Sequence, residues 1–545
     1  MTIATRVLAR LAGLRPAVSG DPAVEPAVRV PAPDGIELLT DLYLPRQGGP
    51  LPTILLRCPY GRGGPWALAA RVFGERGYNA VLQSCRGTSG SGGEIDLAAE
   101  AADGRATADW IIQQGWSNGE LGTFGPSYLS FVQWALASTR PPQLKAMAIQ
   151  IMAADRRRSL YPGGSFALDT ALTWSASMAN QEATLLARLR GVTARRQAME
   201  RAFGHLPLLE ADRIAAGMEF PPFRAWLEHE QPGDPYWEPL DYSRIIPGLG
   251  VPVSMVGGWY DYYLPYMLDD HAALVSDGAP VELVIGPWAH SAGGGMLAGL
   301  RQGLDWFDRY LLAHRDRPAP APVRVGMTGT NHDWRDLDVW PPASSGRRWY
   351  LRGGGGLAPE PPPVSEPDRY RFDPADPTPA VGGTTLSSRR SGSRDNRALE
   401  ARADVLVFTS EALDADLDII GPVTAELFVS SSRDDTDFFA RLCDVERKGR
   451  STNVCDALLR LQPGDPVRDP DGIARITIEL WPAAHRFRKG HRIRLQVSSG
   501  AHPRFARNPG SGERLATATT LLAADQAVYH DPAHPSAIVL PVITA

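Results

Sequence analysis

A serine placed between a predicted strand and a predicted helix is the first candidate for chemistry in this sequence. It lies in the segment Gly122-Thr123-Phe124-Gly125-Pro126-Ser127-Tyr128. A sharp strand-to-helix turn lifts such a hydroxyl above a sheet, and the N–H groups that begin the helix can stabilise an oxyanion. Because serine is also a favoured helix cap and such turns are frequent, this segment alone leaves catalysis and capping both open.

A hydroxyl becomes a good nucleophile only when a base accepts its proton, and two further strand ends offer the missing groups. The apolar run 251–256 leads into a loop that contains Asp261, and the run 281–285 leads into a loop that contains His290. Because the carboxyl ends of parallel strands meet in one crevice, we expect Ser127, Asp261 and His290 to converge there. Each residue alone has an ordinary structural explanation, whereas three strand-end placements in the order Ser, acid, His favour a catalytic triad.

The elements that must position these residues alternate between strands and helices. An antiparallel hairpin is predicted at 27–46 around the turn Asp34-Gly35. Strands are predicted at 52–56, 78–83, 121–124, 251–256 and 281–285, and helices at 66–76, 98–114, 128–138 and 299–313. This alternation predicts an α/β fold with a parallel sheet that is covered by helices on both faces.

Two regions of the chain depart from that alternation. Between residues 161 and 240 the β pattern disappears, and the segments 183–205 and 209–220 predict a helical insertion. The segment 315–368, rich in Pro, Gly and Ser and including the glycine run 353–356, is predicted to connect two domains. After it, short β runs are predicted at 405–409, 423–430, 437–445, 474–480 and 492–498. Such closely spaced short strands are typical of a β-sandwich.

Composition and charge narrow the classes of partner. With 43% hydrophobic and 21% charged residues the chain is globular, and a net charge of -5 without a basic block argues against nucleic acid. The four cysteines are too few for a disulfide framework and lack metal-ligand spacing, so we expect a reducing compartment and no metal. Since we find neither a signal-peptide core nor a long apolar span, we predict a cytoplasmic protein without membrane contact.

At these motifs the sequence resembles the cocaine esterase-like (CocE/NonD) family of α/β-hydrolases, which is related to X-prolyl dipeptidyl peptidases and α-amino-acid ester hydrolases. The resemblance extends from the hairpin at Asp34-Gly35 to the segments 481–499 and 502–510. It implies an α/β-hydrolase domain with an inserted helical cap and a C-terminal jelly-roll β-sandwich. We therefore predict the hydrolase domain at 1–160 and 245–355, the cap at 161–244 and the jelly roll at 356–545.

The resemblance also implies roles for individual side chains. They are Ser127 as nucleophile, His290 as base, Asp261 as orienting acid, Tyr60 and the Tyr128 N–H as oxyanion donors, and Trp174 and Tyr263 as acyl-pocket residues. From the sequence alone the aromatic residues could equally be core residues. Two departures from the family are Ser130, where relatives have glycine, and the segment 83–87, which lacks their acidic residue and predicts a looser loop at 88–93.

These assignments predict two-step transfer of an acyl group from a small-molecule carboxylic ester to water, without a cofactor or metal. An X-prolyl dipeptidyl peptidase or an α-amino-acid ester hydrolase is the alternative, and each needs an anchor for a substrate ammonium. The adjacent pair Asp269-Asp270 is the candidate anchor, although a helix-surface role is favoured for it. An inactive binding protein is a further alternative, and a homodimer formed through exposed β edges is compatible with the sequence.

Overall fold

The computed structural model describes residues 1–46, 49–181, 192–312, 320–331, 333–387, 389–464 and 466–543. Two β-sheets organise the chain, with a group of helices inserted into the first. The first sheet carries the predicted α/β pattern, and the second is formed by the C-terminal part of the chain. Within the described residues, no helix has both the length and the apolar character needed to span a bilayer.

The first sheet has ten strands in the order β1-β2-β4-β3-β5-β6-β7-β8-β9-β10. These are β1 (Ala23–Pro31), β2 (Glu37–Leu44), β3 (Leu51–Cys58), β4 (Asn79–Ser84), β5 (Ser117–Pro126), β6 (Leu144–Gln150), β7 (Val253–Tyr260), β8 (Val281–Ala289), β9 (Val323–Gly326) and β10 (Trp334–Leu337). The strands from β4 to β9 pair in parallel, whereas β1, β2 and β10 join antiparallel at the edges. Because helices cover both faces, the central strands are almost continuously buried.

The helices of this domain lie on the two faces of the sheet. They are α1 (Ile3–Ala12), α2 (Gly64–Gly74), α3 (Glu100–Ile112), α4 (Tyr128–Ser138), α10 (Leu264–Ser276) and α11 (Gly293–Tyr310). Apolar side chains of α2 and α11 pack on one face, around Phe73, Phe124 and Phe307. Side chains of α3 and α4 pack on the other face, around Ile111 and Leu136. The predicted α/β class is confirmed.

The helical insertion lies between β6 and β7, in the region where the β pattern of the sequence disappears. It contains α5 (Arg156–Leu160), α6 (Leu168–Ala179), α7 (Val192–Gly204), α8 (Ala211–Ala216) and α9 (Pro221–Glu228). The first part of the predicted helix 183–205 lies outside the described residues. The predicted helix 209–220 is shorter than expected because Gly217, with φ +79°, ends α8 in the left-handed conformation.

The second sheet has eleven strands in the order β13-β20-β15-β21-β11-β12-β14-β19-β16-β17, with β18 also pairing with β15. Its elements are β11 (Ser345–Arg352), β12 (Gly356–Ala358), β13 (Asp368–Phe372), β14 (Leu406–Ser410), β15 (Leu417–Ser431), β16 (Thr436–Val445), β17 (Ser451–Leu461), β18 (Ala474–Phe487), β19 (Arg492–Ser498), β20 (Ala524–Tyr529), β21 (Ala537–Val542) and the short helix α12 (Arg397–Glu400). The described strands are antiparallel except where β12 meets β14. The jelly-roll order of this β-rich domain stays a prediction.

The predicted start of this domain at residue 356 is wrong. Strand β11, which ends before that position, pairs with β21 at the far end of the chain and with β12. The glycine run at 353–356 is therefore a hairpin turn, in which Gly354 and Gly355 adopt positive φ, and not a connection between domains. The second sheet begins at Ser345, and the boundaries of the cap at 161 and 244 stay predictions.

The cap and the β-rich domain are joined through Asp169 of α6. Its buried carboxylate accepts a hydrogen bond of 3.1 Å from the Leu386 N–H and faces the Arg390 guanidinium at 3.6 Å. Arg390 also pairs with Glu200 of α7 at 2.6 Å. Because the Asp169 N–H donates to the Pro503 carbonyl at 2.8 Å, α6 is held by the β-rich domain at two points. The helix that carries Trp174 is thus fixed to the β-rich domain.

Helix α11 packs closely on the sheet at Gly303. A Cβ atom at that position would lie 2.8 Å from a ring carbon of Phe124 in β5 and 3.3 Å from the Cβ of Ala148 in β6. A Cβ at Gly293, in the first turn of the same helix, would meet nothing within 4 Å among the described residues. Close packing on the strand that leads to Ser127 therefore depends on Gly303.

We expect Gly303→Ala to destabilise the protein by about 1–3 kcal/mol, because overpacking outweighs the gain in helix propensity. The matched variant Gly293→Ala should leave stability unchanged or slightly raised. Melting temperatures of the wild-type protein and both variants test this expectation. Equal melting temperatures for the two variants would contradict it.

Candidate active site

The chain turns sharply at Ser127, between the end of β5 and the start of α4. Ser127 has φ 56° and ψ −124°, a strained conformation for a residue with a side chain. Its N–H donates to the Gln150 carbonyl at 2.9 Å, and its carbonyl accepts from the N–H groups of Ser130 and Phe131. A Cβ at Gly125 would lie 2.5 Å from a Leu129 methyl, so only glycine fits there. The turn leaves the Ser127 side chain half-buried.

The structure brings together the three side chains predicted to converge. His290 Nε2 lies 3.1 Å from Ser127 Oγ, and His290 Nδ1 lies 2.6 Å from Asp261 Oδ2. Asp261 is fully buried, and its other oxygen accepts from the Tyr263 N–H at 2.8 Å. With Nδ1 donating to the carboxylate, Nε2 is free to accept the serine proton.

Asp261 and His290 meet because β7 and β8 are neighbours in the parallel sheet. Gly258 of β7 is paired with Gly286 of β8, and the register shifts just after this pair. A Cβ at Gly258 would lie 2.4 Å from the Trp288 carbonyl oxygen, and one at Gly286 would lie 2.5 Å from the Trp288 ring. Both glycines therefore make room for Trp288, so that the last residues of β8 before His290 lie close to the end of β7.

Tyr60 follows β3, and its hydroxyl lies next to Ser127. The hydroxyl accepts a hydrogen bond of 3.2 Å from the Trp174 indole N–H, and the ring stacks at 6.5 Å on Trp66. Burial of the hydroxyl raises the pKa of Tyr60, while hydrogen bonding with Trp174 and Ser127 acts in the opposite direction. Tyr60 is 38% exposed, and its hydroxyl is a neutral donor next to Ser127.

Tyr128 begins α4, so its N–H belongs to the first turn, where helical N–H groups have no partner within the helix. Its hydroxyl donates to Glu100 at 2.8 Å, and Glu100 pairs with Arg57 at 2.7 Å. Burial is the main reason why the pKa of Tyr128 is raised well above its usual value. Its ring stacks on Trp174 at 5.9 Å with an angle of 9° between the planes. The donor next to Ser127 is therefore anchored on both sides.

Both predicted pocket residues lie close to the three converging side chains, and two residues that the sequence did not predict lie there as well. Trp174 contacts Tyr60 and Tyr128, and the buried Tyr263 ring lies 5.9 Å from the His290 ring. Tyr262, which was not predicted, stacks on the His290 ring at 4.6 Å. The second missed residue is Arg156, which donates to the Tyr263 hydroxyl. Adjacency to Asp261 was the available signal for Tyr262. The sequence of α5 contains no pattern that would have pointed to Arg156.

The predicted surface role of the acid pair is correct for only one residue. Asp269 is exposed and pairs with Arg158 at 2.8 Å. Asp270 is buried, and its carboxylate accepts from the Ala154 N–H at 2.7 Å. It therefore secures α10 to the segment before α5. Neither carboxylate forms a hydrogen bond or ion pair with a described residue of the site.

The predicted loosening of the loop at 88–93 is not observed. The Arg86 guanidinium pairs with Asp103 and Asp34, each at 2.6 Å. Within the loop, Ser91 donates to the Ser84 carbonyl at 3.0 Å and accepts from the Leu39 N–H at 2.9 Å. These contacts hold the loop at 88–93 in place without the acidic residue that relatives carry in the preceding segment.

Ser130, at the family's glycine position, is accommodated by hydrogen bonds. Its hydroxyl donates to the Gly125 carbonyl at 2.5 Å and accepts from the Gln150 N–H at 2.8 Å. The larger side chain therefore joins α4 to β5 and β6.

Among the described residues, no group of three or more His, Cys, Asp or Glu side chains could hold a metal ion.

A half-buried serine at a strand-to-helix turn, joined by hydrogen bonds to a histidine and an aspartate at the carboxyl ends of a parallel sheet, is the arrangement of serine hydrolases with an α/β-hydrolase fold. Residues 34–292 match the family of X-Pro dipeptidyl-peptidases (S15 family), and residues 318–539 match the X-Pro dipeptidyl-peptidase C-terminal non-catalytic domain. The protein is therefore a serine hydrolase with an additional β-rich domain.

Individual relatives define the family further. The chain is 32% identical to the cocaine esterase of Rhodococcus sp. (strain MB1 Bresler), over 96% of this chain and 100% of that protein. It superposes on an α-amino acid ester hydrolase with a TM-score of 0.79 and 25% identity, covering 97% and 98% of the two chains. An aminopeptidase from a marine sediment Thaumarchaeota archaeon gives a TM-score of 0.80 and 25% identity, covering 96% and 97%. The chain belongs to the cocaine esterase-like (CocE/NonD) family.

The buried Asp270 makes stability depend on pH. Burial raises its pKa to about 8. Between about pH 4 and pH 8 the folded protein therefore keeps a proton that the unfolded chain releases, so the wild-type protein should lose stability as the pH rises, by up to about 1.4 kcal/mol per pH unit.

We expect Asp270→Asn to remove this contribution, so that its melting temperature relative to the wild type rises between pH 5 and pH 8. Asp269→Asn is the matched control, because Asp269 is exposed on the same helix, and its pH dependence should follow that of the wild type. Parallel curves for all three proteins would show that Asp270 is ionised in the folded protein.

Proposed function

We propose that this protein hydrolyses small-molecule carboxylic esters through an acyl-enzyme intermediate. The observation that carries the proposal is the chain of hydrogen bonds from Ser127 to His290 (3.1 Å) and from His290 to Asp261 (2.6 Å). His290 takes the proton as Ser127 attacks the ester carbonyl, and Asp261 holds the imidazole tautomer and stabilises the imidazolium. The proton then passes to the leaving alcohol, and water, activated by His290, releases the acid.

In this mechanism the oxyanion of each tetrahedral intermediate is bound by the Tyr60 hydroxyl and the Tyr128 N–H. The proposal is supported by the position of the Tyr60 hydroxyl, which receives a hydrogen bond from Trp174 and keeps its own proton available for donation. It is also supported by the anchoring of Tyr128 through Glu100, which fixes the start of α4. Prepositioned donors of this kind stabilise developing charge without reorganisation.

The electrostatics of the pocket favour esters without an ammonium group over peptides and α-amino-acid esters. Those substrates present a cationic amine, which needs a carboxylate partner. Among the described residues, Asp261 is engaged by His290 and Glu100 is engaged by Arg57 and Tyr128. The charged group beside Trp174 and Tyr263 is instead the cation Arg156. We therefore assign Trp174 and Tyr263 to an acyl pocket for uncharged or anionic groups.

The substrate class is tested by measuring kcat/KM side by side for 4-nitrophenyl butyrate, phenylglycine methyl ester and Gly-Pro 4-nitroanilide. We expect the simple ester to be preferred at least tenfold, because the other two substrates bring an unpaired ammonium next to Arg156. Ser127→Ala should abolish all hydrolysis, and a fluorophosphonate probe should label the wild-type protein at Ser127.

A preference for the anilide or the phenylglycine ester would instead identify a peptidase or an α-amino-acid ester hydrolase. Wild-type protein that neither reacts with the probe nor hydrolyses any of the three substrates would be an inactive binding protein. Self-association through exposed strand edges and cytoplasmic location stay predictions.

Removal of the Tyr60 hydroxyl tests the oxyanion assignment. Tyr60→Phe should lower kcat by about 10²–10³-fold, equivalent to about 3–4 kcal/mol, with a small effect on KM, because the lost hydrogen bond strengthens in the transition state. Among the described residues, the control Tyr529→Phe loses a single hydrogen bond, to Ser430 in the second sheet, and it should keep full activity. A similar loss of kcat in both variants would argue against an oxyanion donor.

A further inference from the structure

Arg156 differs from the other buried arginines of the protein. Six arginines are buried among the described residues, and five of them pair with a carboxylate: Arg57 with Glu100, Arg76 with Glu75, Arg86 with Asp103, and both Arg441 and Arg504 with Asp456. Arg156 is the sixth, with 7% of its surface exposed, and no described carboxylate forms an ion pair with it. A buried cation without a counter-ion is unfavourable, so an anion that binds next to Arg156 would be stabilising.

Among the described residues, the partners of the guanidinium are neutral aromatic side chains. It lies 4.9 Å from the centre of the Trp226 ring and 5.9 Å from that of Trp174, and one nitrogen donates to the Tyr263 hydroxyl. Its buried Nε has no hydrogen-bond partner among the described residues. Cation–π contacts and one phenol oxygen compensate only part of the lost hydration, and they leave donor capacity unused.

These neighbours place Arg156 at the wall of the candidate active site. On one side, Trp174 donates to the Tyr60 hydroxyl, which adjoins Ser127. On the other side, the Tyr263 ring lies 5.9 Å from the ring of His290. Tyr263 alone therefore separates the unpaired cation from His290. Trp174 and Tyr60 together separate it from Ser127.

We propose that Arg156 is the specificity-determining residue of the acyl pocket and that it binds a carboxylate at the far end of the acyl group, so that the preferred substrates are half-esters of dicarboxylic acids. This inference rests on the proposed esterase function. A substrate carboxylate would supply the missing counter-ion and accept charge-assisted hydrogen bonds from the guanidinium. A substrate ammonium would be repelled by the same guanidinium. Arg156 would therefore favour anionic substrates and disfavour cationic ones.

The experiment compares esters of matched shape. Monomethyl succinate, glutarate and adipate are measured against methyl 4-methylpentanoate and its two longer homologues, in which an isopropyl group replaces the carboxylate. Methyl 4-aminobutyrate is the cationic substrate, and acid release is followed by titration. For the chain length that fits, we expect kcat/KM of the wild-type enzyme to favour the half-ester at least tenfold over its neutral partner and to be lowest for the amine.

Substitutions then test whether Arg156 causes this preference for half-esters. Arg156→Met should lower the ratio of half-ester to neutral ester at least tenfold, and Arg156→Lys should keep part of it, since the charge remains without the planar fork. Arg158→Met is the control, because Arg158 is exposed on the same short helix and pairs with Asp269; its ratio should equal that of the wild type. An unchanged ratio in Arg156→Met, or a neutral ester preferred at every length, would overturn the proposal.

A measurement on the wild-type enzyme alone keeps the proposal testable if Arg156→Met does not fold. Inhibition by 2-carboxyethylboronic acid is compared with inhibition by 3-methylbutylboronic acid, since both form an adduct with the serine but only the first carries a carboxylate. The carboxylate compound should inhibit at least tenfold more strongly, and equal or weaker inhibition would refute the role of Arg156. Hydrolysis of neutral esters without a carboxylate preference removes only this inference, whereas absence of all hydrolysis and probe labelling removes the esterase function as well.

Discussion

The hydrogen bonds from Asp261 through His290 to Ser127 depend on where three parallel strands end. Strands β5, β7 and β8 deliver one residue each, and β6 lies between β5 and β7 as a spacer. A shift in strand register would move one of these side chains away from the other two, because successive residues of a strand point to opposite faces. The glycines before Asp261 and His290 are part of the same constraint, since they permit the close approach of the ends of β7 and β8.

A second constraint is a network of buried charged side chains next to the Ser127 turn, in a region where most proteins have apolar side chains. Glu100, Arg57 and Asp103 are almost fully buried between α3, α4 and the sheet. Burying ion pairs brings little net stability, but removing one partner typically costs 3–5 kcal/mol, so such networks tolerate few alternative arrangements. Because the network ends at the Tyr128 hydroxyl, its rigidity is passed on to the first N–H of α4.

Much of the site could be predicted because apolar runs followed by polar loops mark the carboxyl ends of buried strands. The misses have physical reasons. Strand β6 has the sequence Leu-Lys-Ala-Met-Ala-Ile-Gln, whose β propensity is low, and it forms because both of its neighbours bury it. Arg156 and Tyr262 contribute through contacts between segments far apart in the chain, which no local pattern records. The glycine run at 353–356 was misread because a hairpin turn and an interdomain linker have the same composition.

The attachment of α6 to the β-rich domain through Asp169 has a consequence for how selectivity can change. Trp174 forms part of the wall beside Ser127, and it stands on the same helix as the carboxylate that binds Leu386 and faces Arg390. We therefore expect a substitution in the β-rich domain to tilt this helix and alter the width of the proposed acyl pocket without touching the three converging side chains. For directed evolution, this makes the distant joint between the two domains as promising a target as the residues that line the cavity.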